Sequence, residues 1–292
     1  MKYRIKHVTH YQYMQSVAMC RNEARMSPIN NQHQTCLSHR YVIQPSPQLI
    51  EKHFDYFGNQ VTHFTILQAH KELRISVFSE VEVLDKNFDK IVAQALTHEQ
   101  MTDLLTHAKK TTDLRAVEYT LPSLLIQISD AVKSYAAPSF TPGRTLYETC
   151  LDLMQRIFTE FKYDPTFTSI STPLEEVIAH KKGICQDFAH LAIACLRSQG
   201  LAARYVSGYL ETVPPPGQKK LVGADASHAW FSVYFGDGVW LEFDPTNNIV
   251  PKQQHITLAR GRDYSDVSPL RGIIYGGGEH ELLVSVDVNR IG

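Results

Sequence analysis

At 292 residues and 33.2 kDa the chain exceeds the ~100 to 200 residues of one usual domain, so one large domain, two modest ones or a domain with an appendage are expected. Apolar residues make up 43% and charged residues 20%, and no apolar run approaches the ~18 residues of a membrane span, which excludes collagen-like, disordered and membrane-spanning classes. Lys and Arg total 29 against 30 Asp and Glu, a net charge of -1, so neither nucleic acid nor a membrane is expected as a partner.

Met1 to Lys6 alternates charged with apolar residues and has no apolar stretch behind it, which reads as a strand and not a signal peptide and points to the cytoplasm. Residues 1–85 read as an all-β domain. Tyr3-Ile5-His7-Thr9-Tyr11 and Leu73-Ile75-Val77-Ser79-Val81-Val83 follow the period of two of half-buried strands, and Phe54 to Thr62 reads as a hairpin turning at Gly58-Asn59. A small sandwich or open barrel is expected. Residues 86–120 lose this periodicity and read as a connector with one short helix. Nine of the 14 histidines lie before Lys109, mostly on strand-like segments, and suit surface or packing roles.

Residues 121–292 read as a second domain. Pro122 to Val132, Leu146 to Phe158 and Cys185 to Ser198 carry apolar residues at helical spacing, the last ending at Gly200. Strands are expected at Ala203–Leu210, His228–Phe235 and Val239–Phe243, and a last one at Glu281–Val288, which could pair back with the N-terminal part. The five cysteines include no CxxC pair and are too scattered for a disulfide framework. No compact acidic DxDxDG-type loop supports calcium, and no metal or other cofactor is expected.

The sharpest feature is Lys181-Lys182-Gly183-Ile184-Cys185-Gln186-Asp187, a turn that delivers a cysteine to the first turn of a helix, where unpaired N–H groups favour thiolate over thiol. On position alone Cys185 also reads as a small buried hydrophobe, the reading given to Cys195. A cysteine nucleophile needs a histidine base and a third group to orient it. His228 starts a strand, Gly236-Asp237-Gly238 turns it, and Asp244 ends the return strand. If that loop sets the register, residues whose numbers sum to 474 lie opposite one another. Asp244 then faces Trp230 and lies diagonal to His228, at about 7 Å between Cβ atoms. A shift of one residue would send the two side chains to opposite faces.

Gly183 to His190, Ala203 to Tyr209, Asp225-Ala226-Ser227-His228-Ala229-Trp230 and Phe243-Asp244-Pro245-Thr246-Asn247 together resemble the core of the bacterial transglutaminase-like cysteine proteins. The resemblance extends through Gly261 to Gly272, and the β-rich first part looks like the N-terminal domain that accompanies this core. It implies an α+β fold, with a papain-like core whose cysteine-bearing helix packs on an antiparallel sheet, and a Cys185, His228 and Asp244 triad. The implied reaction is acyl transfer at an amide carbon. Hydrolysis of a peptide or isopeptide bond is the first reading, on a peptide or protein substrate. A transglutaminase, with an amine acceptor, and a non-catalytic peptide-binding protein are the alternatives.

The backbone N–H of Cys185 is the first oxyanion donor, with the Tyr163 hydroxyl or the Gln186 side chain as the second. Trp230, Asp187, Arg262 and Asp263 are candidates to line the cleft, though strand packing, dipole compensation and a loop held by ion pairs account for them equally. The Pro- and Lys-containing stretch from Thr212 to Asp225, with Lys219 and Lys220, is expected to form one rim of the entrance and to disfavour a cationic amine.

Overall fold

A computed structural model describes residues 1–169, 172–212 and 227–291. Five strands open the chain: β1 (Lys2–Ala24), β2 (Gln34–Gln44), β3 (Leu49–Phe54), β4 (Gln60–Ile66) and β5 (His70–Val83). Three short helices follow, α1 (Asp89–Ala93), α2 (His98–Thr106) and α3 (Thr111–Val117), where one was expected. The second half contains α4 (Asp130–Ala136), α5 (Leu146–Glu160), β6 (Lys162–Tyr163), α6 (Leu174–His180), β7 (Lys182–Gly183) and α7 (Cys185–Arg197). Next come β8 (Ala203–Leu210), β9 (Ser227–Tyr234), β10 (Trp240–Phe243), β11 (His255–Gly261) and α8 (Tyr264–Val267), then β12 (Leu270–Gly276) and β13 (His280–Arg290). Among the described residues no helix is long and apolar enough to cross a membrane.

The long strand β1 organises the first half. Its N-terminal half lies between β5 and β13 and its C-terminal half between β4 and β12, all antiparallel. Tyr3 and Ile5 alternate with exposed Lys2, Arg4 and Lys6, so the period of two places one row against a core. The last two strands of the chain therefore belong to the first sheet.

The second sheet runs β10-β9-β8-β11. Helix α7 packs on it through an apolar cluster that includes Phe188, Leu191, Ala192 and Cys195 from the helix and Tyr205, Phe231, Val233, Leu241 and Phe243 from the strands. Pro122 to Val132 does not form the expected helix. Ser123 and Ile126 bond each other's backbone, and the Leu125 N–H donates to the Asp263 carboxylate at 2.9 Å. The helix starts only after Ser129, whose hydroxyl accepts from Val132 N–H. A tertiary hydrogen bond thus overrides a local pattern.

A further apolar cluster joins the halves, with Tyr3, Ile5, Val81, Val83, Val286 and Val288 against Tyr209, Ile256 and Leu258. Edge strand β11 is closed by side-chain amides from the first half. Gln34 Nε2 donates to Thr257 O while its Oε1 accepts from Thr257 N–H, both at 2.8 Å. Asn59 forms the same paired contact with Arg260, also at 2.8 Å. Each amide pairs with one backbone donor and one acceptor on the side of β11 that has no strand beside it.

Candidate active site

The chain reaches Cys185 through a narrow passage. β6 and β7 pair in parallel with Tyr163 opposite Gly183, and the next two residues lead into α7. The Asp187 carboxylate turns back and accepts the Ile184 N–H at 2.8 Å, fixing the start of the helix. A Cβ on Gly183 would meet the Asp187 Cβ at 2.9 Å and the Phe188 ring at 3.2 Å, so the chain passes this close to its own helix only without a side chain. Cys185 is partly exposed, whereas Cys20, Cys150 and Cys195 are buried.

His228 lies on β9 opposite Gly208 of β8. The hairpin register is the one in which residue numbers sum to 474, since Trp240 pairs with Tyr234 and Phe243 with Phe231. Asp244 follows on the same face as His228 and is fully buried. Its Oδ1 accepts the N–H groups of Thr246 and Asn247 at 3.0 and 3.2 Å, a turn that fixes the carboxylate from its own chain. Its Oδ2 accepts from His228 Nε2 at 2.8 Å, from His255 Nε2 at 2.9 Å and from Asn247 Nδ2 at 2.8 Å. Burial alone would raise the carboxyl, but the two histidines hold it well below the usual carboxylate range.

The Nε2 of His228 bonds Asp244 and lies 3.3 Å from Asn247 Nδ2, and the Cys185 side chain is a further hydrogen-bond partner of the ring. Burial opposes the imidazolium, yet the hydrogen bonds and charges of Asp244 and Cys185 prevail and push His228 up to about 10. The ring is therefore charged at neutral pH. Trp230 stacks beside His228 at 5.9 Å between ring centres and meets His255 edge-on at 4.9 Å.

His255 and Asn247 were not singled out in the sequence. His255 is fully buried, and burial pulls its pKa down while Asp244 pulls it up, with burial prevailing. It donates from Nε2 to Asp244 and leaves Nδ1 without a partner among the described residues. His228, Asp244 and His255 also form the one group among the described residues with the spacing of metal ligands, their donor atoms lying within 4.8 Å of one another. Those atoms are engaged in the hydrogen bonds just given.

Tyr163 stands half-exposed, and its phenol is pushed up by burial first and then by the nearby charges of Cys185 and Asp187. Gln186 is buried in the first turn of α7. Three of the four cleft candidates are buried, and the fourth, Arg262, is exposed. Trp230 is fully buried beneath the two histidines, and Asp187 is buried capping its own helix. Asp263 is buried and accepts from Leu125 N–H and from the Ser265 N–H and hydroxyl. Arg262 is tied to Asp266 by two bonds at 2.9 and 3.0 Å. The rim expected from Thr212 to Asp225, with Lys219 and Lys220, lies outside the described residues apart from Thr212.

Comparison with known proteins places these features in a family. Residues 3–82 match the bacterial transglutaminase-like N-terminal region, and residues 133–245 match the transglutaminase-like superfamily. Uncharacterized protein Rv2569c of Mycobacterium tuberculosis is 43% identical over 98% of this chain and 92% of its own length. Uncharacterized protein ML0607 of Mycobacterium leprae is 31% identical over 99% of this chain and 98% of its own. The fold is shared with the crystal structure of a candidate cysteine protease from Cytophaga hutchinsonii (TM-score 0.77, 22% identity, 99% of this chain and 90% of that one). The two matched regions and relatives alike along nearly their whole length show that this chain belongs to the bacterial transglutaminase-like family.

Proposed function

We propose that the protein is a cysteine hydrolase that cleaves a peptide or isopeptide amide through Cys185, His228 and Asp244. The observation that carries this reading is the chain of contacts from Cys185 at a helix N-terminus, through a charged His228, to a carboxylate 2.8 Å from its far nitrogen. The sulfur attacks the amide carbon, and the electron pair of the carbonyl moves onto oxygen. The oxyanion is met by the Cys185 backbone N–H and by Tyr163, which is better exposed than Gln186. As the C–N bond breaks, His228 gives its Nδ1 proton to the leaving amine. Neutral His228 then takes a proton from water, which attacks the thioester and restores Cys185.

Water is preferred as the acceptor because it is present at roughly 55 M, and an amine overtakes it only where positioning supplies a large effective molarity. The deciding experiment is mass spectrometry of a glutaminyl peptide incubated with enzyme, with and without a millimolar primary amine. Cleavage or deamidation that disappears in Cys185→Ala is expected. A dominant amine adduct would make the protein a transglutaminase. Binding of peptide with no product would make it a peptide-binding protein.

A further inference from the structure

On the face of the second sheet turned away from α7, a cavity of about 530 Å3 opens between the two halves of the molecule, lined by His33 and Lys86 from the first and Arg204, Trp240, Glu242 and Arg260 from the second. Its charges do not balance. Lys86 Nζ lies 2.6 Å from one Glu242 oxygen and Arg260 Nη2 3.3 Å from the other, so one buried carboxylate serves two cations. Arg204 has no carboxylate partner among the described residues. Its Nε donates to the Ser232 hydroxyl at 2.9 Å and its guanidinium lies 4.0 Å from the centre of the Trp240 ring. Arg260 Nε is buried and finds no acceptor among the described residues. Burial and then the Lys86 charge lower the pKa of His33. Asp237, the other wall carboxylate, is exposed and engaged by Lys110 at 2.5 Å.

Three permanent cations around one buried carboxylate are costly to keep together unless an anion joins them. A guanidinium fork held flat on an indole presents its donors to an oxyanion in fixed geometry, and cavity walls of low polarisability strengthen the field there. We propose that this cavity binds the phosphate or carboxylate group of a small molecule, at a site separate from Cys185.

The test is calorimetry on the full chain with inorganic phosphate and with citrate, against sodium chloride at matched ionic strength. Saturable binding of one equivalent is expected, and which anion binds identifies the group. Arg204→Met should weaken it at least tenfold, Arg204→Lys should recover part of the loss, and Cys185→Ala should bind as the parent does. Asp237→Asn, at a position with φ of 48° that Asn tolerates, should tighten binding two- to fivefold. Neither anion binding beyond chloride, indifference to Arg204→Met, or loss of binding in Cys185→Ala would overturn the proposal. Should Arg204→Met not fold, an unchanged affinity in Asp237→Asn would do so.

Discussion

Cys185 and Cys36 are the two partly exposed thiols among the five, and they differ in surroundings. Burial pushes the Cys36 thiol up, whereas Cys185 has a charged imidazole beside it. Iodoacetamide at neutral pH should therefore label Cys185 first, and mass mapping of partial labelling checks the order. A His228→Ala change should slow that labelling at least tenfold while leaving Cys36 unaffected. His255 offers a different test. Its Nε2–H is one of three donors on Asp244 Oδ2, so His255→Gln, which keeps an N–H, should retain most activity. His255→Leu removes the donor from a fully buried carboxylate and should lower stability by about 1 to 3 kcal/mol, read from denaturant melts. It should also reduce kcat more than it alters KM, because it acts through Asp244 and touches no substrate.

The site is held at the level of elements by three strands in one register. Gly208 lies opposite His228, and a Cβ there would sit 2.1 Å from the Ile256 carbonyl and 2.6 Å from the Trp230 ring. Neither can yield easily, since one is backbone between β8 and β11 and the other is buried beneath the histidines. Gly208→Ala should cost about 1 to 3 kcal/mol and lower activity with it, a pairing that a thermal melt and a turnover assay on the same sample would reveal. The hairpin that brings His228 and Asp244 together was legible in the sequence from the turn Gly236-Asp237-Gly238 and the period of two, but its register was not, and the pairing of Trp240 with Tyr234 decides it. Pro122 to Val132 was misread for the opposite reason. Its apolar spacing is local, but what decides its shape is Asp263, more than a hundred residues away in the chain.

For the molecule as a whole, the site contributes to stability with two opposite pH limits. His228 rises from 6.5 to about 10 on folding, so its contribution is complete below 6.5 and is lost as pH climbs through 10. Asp244 is depressed from 3.8, so its contribution is present above 3.8 and is lost as pH falls through its lowered folded value. The melting temperature should therefore be level between about pH 4 and 6.5 and decline as pH rises from 6.5 to 10, and Asp244→Asn should flatten that decline.

The amino-acid sequence by itself determined the sheet-forming halves and the helix that carries Cys185, since each follows from spacing within one element, and it narrowed the alignment of His228 with Asp244 to a choice of register that the structure decided. Tertiary structure alone decided what surrounds them. His255 arrives from the far edge of the sheet, nothing in His255-Ile256-Thr257-Leu258 marks it as a partner of Asp244, and the side-chain amides of Gln34 and Asn59 meet β11 about two hundred residues downstream. The union of β12 and β13 with β1 joins the two ends of the chain, a contact that only chain-wide packing can pair. Periodicity records which face of an element is buried, and it carries no address for the element that buries it.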